Sequence, residues 1–137
     1  MSGLRPRARH ITNEYRWNTY VARRGRYMKS RAWYKRRRDW FVLQRQRTGK
    51  PVECAGCGRH ITERNCDMHH VTYARLGAEK HEDLLAMCRA CHEALHVRLD
   101  ASKSLRSWIQ RAPLPNTLAL LEMMRGQYRA GRHDREN

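Results

Sequence analysis

The 137-residue chain contains no run of about 18 apolar residues, so a helical membrane span is not expected. Its opening stretch, MSGLRPRARH, has no apolar segment of the kind an export signal needs. The reading is therefore cytoplasmic, where the five cysteines serve as thiols or metal ligands and not as disulfides. Acidic residues are scarce, 13 against 29 Lys and Arg, which leaves a formal net charge of +16. The scarcity is local. Residues 1–50 hold 16 basic and 2 acidic side chains, whereas residues 51–137 hold 13 and 11. A block of that kind is a footprint for a polyanion. No internal repeat is present, and the 40% hydrophobic fraction allows a small core of the sort that often needs a staple such as a metal.

Three segments follow from the pattern: a basic arm over 1–29, a central domain over 30–99 and a helical extension over 100–137. In the arm, Tyr15, Trp17, Tyr20 and Tyr27 alternate with Arg23, Arg24 and Arg26. That interleaving suits phosphate contact combined with stacking. Ser30 is placed to cap a helix running to about Thr48, closed by Gly49. Within it Trp33, Trp40 and Phe41 are expected in the core, and Lys35, Arg36 and Arg38 fall largely on the other side, free to meet phosphate. Residues 66–72 read as a strand, 73–82 as a loop with His81 exposed, 83–87 as a second short strand or turn, and 88 to about 100 as a helix. Pro113 and Pro115 then interrupt a short helical stretch, after which Asn116 or Thr117 caps a last helix and the final residues fray. Leu118, Leu121 and Met124, or Leu120 and Met123, are its packing candidates.

Cys54-Ala55-Gly56-Cys57 and Cys88-Arg89-Ala90-Cys91 are two CxxC pairs. Four thiolates give closed tetrahedral zinc coordination, two corners from each turn. The pairs lie further apart than the roughly 15–20 residues of a plain zinc ribbon, so a segment is inserted between them. A redox role fits poorly, because one pair would suffice for it. Cys66 is left over and reads as a buried thiol.

The insert contains Asp67-Met68-His69-His70-Val71-Thr72-Tyr73. Neighbouring strand residues point to opposite faces, so His69 and His70 can serve different tasks. His92 and His96 stand one helical turn apart on one face. If the strand packs on that face, His69, His92 and His96 can converge on a cation, which would act on a phosphate as a Lewis acid. A neutral histidine can take a proton from water near pH 7, which makes His70 the candidate base.

The ordered pattern HH-x-T-Y-x-x-L-G-x-E, then D-L, then C-x-x-C-H, together with the preceding Ser-x-x-Trp helix, resembles HNH endonucleases over roughly residues 30–98. The resemblance implies a small α+β fold: a ββα-metal (His-Me finger) core with a structural zinc at Cys54, Cys57, Cys88 and Cys91, flanked by N- and C-terminal helices. It implies His69, His92 and His96 as ligands of a catalytic divalent ion and His70 as general base. The family's central Asn falls at Asp83, which would brace the loop and, through its backbone carbonyl, orient the base. Mg²⁺, Mn²⁺, Ni²⁺ or Zn²⁺ would fill the active site, with an all-imidazole set favouring the borderline metals.

The expected function is metal-dependent hydrolysis of phosphodiesters in double-stranded DNA, with Arg23, Arg24, Arg26, Lys35, Arg36, Arg38 and Arg75 as DNA contacts. The final helix offers a surface for a homodimer. A bacterial or phage origin would suit the resemblance, with a phage terminase as partner in the second case. The alternative is a non-catalytic zinc-knuckle DNA-binding protein, a regulator or packaging accessory, which needs the basic arm and the cysteines but not His70.

Overall fold

Residues 21–136 are described by a computed structural model, with side chains to residue 127. The expectations for residues 1–20, including Tyr15, Trp17 and Tyr20, lie outside the described residues. The protein is a small α+β structure in which helices surround a two-stranded antiparallel sheet. Residues 21–27 are helical and lead into α1 (Arg31–Thr48). The joint between them is set by Ser30. Its Oγ accepts from Trp33 N at 3.2 Å and donates to Tyr27 O at 2.6 Å, so one hydroxyl caps α1 and closes the turn before it. Gly49, with φ of 68°, ends α1 in the left-handed conformation that a Cβ would penalise.

The expected core residues of α1, Trp33, Trp40 and Phe41, are buried. The same face carries two polar side chains that tie down loops. Arg37 donates to the carbonyls of Glu63 (2.8 Å) and Cys66 (3.2 Å). Gln44 meets His81 Nε2 at 2.7 Å. His81 is thereby half-buried and stacks on Trp40, with ring centroids 4.9 Å apart, instead of lying exposed in its loop.

Strands β1 (Asp67–His70) and β2 (Leu84–Met87) pair with His69 opposite Leu85 and His70 opposite Leu84. Both are shorter than the sequence pattern suggests. β1 stops at His70, and residues 81–83 form a 3-10 turn, because the Asp83 carboxylate accepts from Lys80 N at 2.9 Å and closes the turn locally. α2 (Arg89–Ala101) follows at once, with Cys88 as its N-cap residue, and packs on β1. Met87 and Leu95 are fully enclosed where the sheet meets this helix.

α3 (Lys103–Arg111) and α4 (Pro113–Glu136) complete the chain. The expected cap at Asn116 or Thr117 is not observed. α4 begins at Pro113, and both prolines sit in its first turn, where a missing N–H costs nothing. Asn116 instead donates to Trp108 O at 2.7 Å and satisfies the end of α3. α4 continues to Glu136, where a frayed tail is the expectation from sequence. Leu120 and Leu121 are its buried contacts, whereas Leu118 and Met123 face outward. Tyr27 and Met28, from the stretch read as an arm, pack against the core. No helix among the described residues is long and apolar enough to cross a membrane.

Ser30→Ala removes both hydroxyl contacts at the start of α1. A loss of about 1 kcal/mol is expected, from the usual value of an N-cap, measured as a shift in the urea midpoint. An unchanged midpoint would contradict the capping role.

Candidate metal centres

The first centre is the cysteine quartet. The hairpin carrying Cys54 and Cys57 is held by Cys54 N to Arg59 O (2.8 Å) and Ile61 N to Val52 O (3.0 Å). Ala55 N donates to Ala86 O at 3.0 Å, which joins this hairpin to β2 and brings the two CxxC turns together. One sulfur from each of Cys54, Cys57, Cys88 and Cys91 lies within 4.8 Å of the others. Gly56 is required here: a Cβ on it would come within 2.7 Å of both Cβ and Sγ of Cys91. α4 secures the turn from outside, through Arg125 Nε to Gly56 O (2.8 Å) and Nη2 to Ala55 O (3.1 Å).

The thiols are electrostatically uneven. Burial pushes Cys54 up, but N–H groups of Cys57, Cys88 and Gly56 aimed at its sulfur more than offset this and bring it down to about 7. Burial and the neighbouring sulfurs push Cys91 well up, and burial raises Cys88 as well. Four thiolates this close repel one another unless a cation neutralises them, so the donor set fits a thiophilic ion such as zinc.

The second centre is built from β1 and α2. His69 Nδ1 is buried with no hydrogen-bond partner, and its ring meets those of His92 and His96 edge-on, each with centroids 5.3 Å away. His92 Nε2 and His96 Nε2 are 2.9 Å apart. One nitrogen from each of the three rings lies within 4.8 Å of the others. Burial first, then the neighbouring imidazoles His92, His96 and His70, pull the His69 pKa down to about 3. A ring that stays neutral across the physiological range, with an unsatisfied buried nitrogen, suits a metal ligand.

His70 points to the other face of β1, as strand alternation requires. There its Nε2 lies 3.1 Å from Glu79 Oε2, and both side chains are 1% exposed. Trp33 and Tyr73 stack on the ring, with centroids at 4.9 and 4.8 Å. The Glu79 carboxylate also accepts from Tyr27 Oη (2.7 Å) and Gly77 N (2.8 Å). A carboxylate only accepts, so His70 Nε2 carries the proton and Nδ1 keeps the lone pair. Burial lowers the pKa of the ring, an effect that Glu79 opposes and the Arg24 guanidinium reinforces. The ring is therefore chemically fit to take a proton, but it is walled in far more than a base freely open to water.

Asp83 closes the loop before β2. Both its oxygens receive the Arg75 guanidinium, with Nε at 2.7 Å from Oδ2 and Nη2 on Oδ1, and Lys80 N completes the set. The guanidinium beside it holds its carboxyl below the usual range. Its backbone carbonyl accepts from Val71 N at 2.9 Å. Asp83 braces the loop; Glu79 is the group that orients His70. Arg75, expected to contact DNA, spends two donors on Asp83.

Among the other expected DNA contacts, Arg24 lies over the Tyr73 ring at 5.2 Å and is close enough to disfavour protonation of His70 and His96. Arg23, Arg26 and Arg38 are exposed, Lys35 pairs with Asp39 at 2.7 Å, and Arg36 is half-buried. Sequence reasoning missed Glu79, Tyr27 and Asp67. Glu79 lay inside the quoted motif, and its burial was the signal that only the fold could supply. Compared with known proteins, the chain matches no family model, no curated protein and no solved structure.

Two outcomes follow from this geometry. Gly56→Ala should cost about 1–3 kcal/mol by overpacking, read as earlier loss of zinc to a chromogenic chelator; wild-type retention would contradict the close approach. His69 is protonated below about 6.5 in the unfolded chain but stays neutral in the fold to about 3. The unfolded state thus binds more protons, and stability falls as pH drops. With the quartet loaded and no second metal, unfolding free energy should decrease between pH 6.5 and 5.5, approaching about 1.4 kcal/mol per unit for each such proton. A flat profile there would contradict the neutral burial of His69.

Proposed function

We propose that the protein is a metal-dependent endonuclease of the HNH type, acting on double-stranded DNA. The observation that carries the reading is the convergence of His69, His92 and His96 on one nitrogen-lined site, with His70 on the next residue of the same strand. On this reading β1, β2 and α2 form a ββα-metal unit, and the thiolate quartet is its structural zinc site. Three imidazoles favour Zn²⁺ or Ni²⁺ over Mg²⁺ on ligand softness, with Mn²⁺ closer to Mg²⁺. Held by His69, His92 and His96, such an ion would supply Lewis-acid stabilisation of the negative charge that develops on the phosphate.

The chain's own residues divide the remaining work. Glu79 holds His70 Nε2–H, so Nδ1 is the ring nitrogen that takes the proton of the attacking water. Trp33 and Tyr73 fix the plane of that ring. Arg24, over the Tyr73 ring, adds positive charge near His70. Arg23, Arg26, Lys35, Arg36 and Arg38 contribute to the attraction of the duplex, which is sequence-independent and falls with added salt. Attack on phosphorus would leave 5′-phosphate and 3′-hydroxyl ends.

The enclosure of His70 favours a second reading, a zinc-knuckle DNA-binding protein that does not cleave. Supercoiled plasmid separates the two. With Zn²⁺, Ni²⁺ or Mn²⁺ the wild type should nick, and excess chelator should stop it. His70→Ala and Glu79→Gln should fall by about 10²–10⁴-fold and a smaller factor respectively, with metal content and DNA affinity kept. A mobility shift without nicking under every ion would establish the binding-only reading, and full activity in His70→Ala would remove the base.

A further inference from the structure

Asp67 lies two residues before His69 on β1, so the two side chains share a face of the strand. Its Oδ2 is 3.1 Å from His92 Nδ1. The opposite nitrogen of that ring, Nε2, is the one that faces His96 at 2.9 Å. The two nitrogens of an imidazole point away from each other across the ring. Asp67 therefore stands behind His92, on the side remote from the converging nitrogens.

We infer that Asp67 is a positioning residue that fixes His92 in its Nδ1–H tautomer and so aims the Nε2 lone pair into the three-imidazole site. The inference rests on the metal reading proposed above. The chemistry is specific: a carboxylate accepts only, so the proton must sit on Nδ1, and a ring held that way offers Nε2 to a cation without paying to reorient. His69 and His96 lack such a brace among the described hydrogen bonds. His69 is held by burial and His96 by α2. His92 is thus the ligand whose orientation depends on another side chain. β1 consequently contributes twice to the centre, once with a ligand and once with the group that orients a ligand from α2.

The test uses full-length protein with zinc in the quartet, titrated with Co²⁺ and followed by its visible absorption, alongside ¹⁵N detection of the His92 tautomer before cobalt is added. The wild type should show His92 protonated on Nδ1. Asp67→Ala should weaken cobalt binding by about 10–100-fold, with the quartet zinc and the thermal midpoint kept. Asp67→Asn, whose amide oxygen still accepts, should lose less. Cobalt affinity unchanged in both variants, or a wild-type His92 protonated on Nε2, would overturn the inference while leaving the metal site in place. If the alanine variant does not fold, the asparagine variant decides by the same criterion. A wild type that takes up no second ion overturns the metal reading itself, and the role of Asp67 with it.

Discussion

The arrangement depends on one junction, the passage from β2 into α2 at Cys88. That residue follows β2, occupies the N-cap position of the helix and supplies a sulfur to the quartet. Its own N–H donates to Cys54 Sγ at 3.2 Å, so the backbone there is fixed by the same cluster its side chain completes. Cys91 lies one turn further on, and His92 is the next residue. Whatever holds the four sulfurs therefore sets the direction of the helix face that carries His92 and His96. Met87 and Leu95 pack the helix against the sheet from within, and an ion held by the four sulfurs would fix its first turn from the other side.

The strand opposite solves a different problem. Two adjacent histidines must experience different surroundings, and β1 provides them through alternation. His69 enters a site whose other members are imidazoles. His70 enters a pocket of Trp33, Tyr73, Tyr27 and Glu79 drawn from the start of the chain and from the loop after β1. The buried Glu79 is tolerable because three donors reach it. The same network fastens residues 21–28 to the domain. Arg24 is thereby held near the histidines instead of trailing in a free arm.

Much of this was legible from residue order. The two CxxC turns, the Ser30 and Gly49 caps, the aromatic face of α1 and the i, i+4 histidines all depend on local spacing, which a sequence displays directly. The partner of His70 was not legible, because Glu79 reaches it across a loop whose path depends on Gly77 at φ 91° and on the Arg75–Asp83 pair. The pairing of Asp83 with Arg75 was hidden for a related reason: a residue type at a motif position does not reveal which neighbour satisfies its carboxylate. The start of α4 was missed because proline reads as a breaker, and its tolerance in a first helical turn is a matter of which N–H is already unpaired.

On the reading proposed, His69, His92 and His96 hold a divalent ion on nitrogen, separate from an ion on the four sulfurs. X-ray absorption at the nickel edge, on protein carrying zinc in the quartet and one added equivalent of Ni²⁺, tests it most directly. The account predicts a first shell of nitrogen and oxygen with the multiple-scattering pattern of about three imidazoles, lost in His92→Ala. A sulfur shell around nickel, or no bound nickel at all, would contradict it.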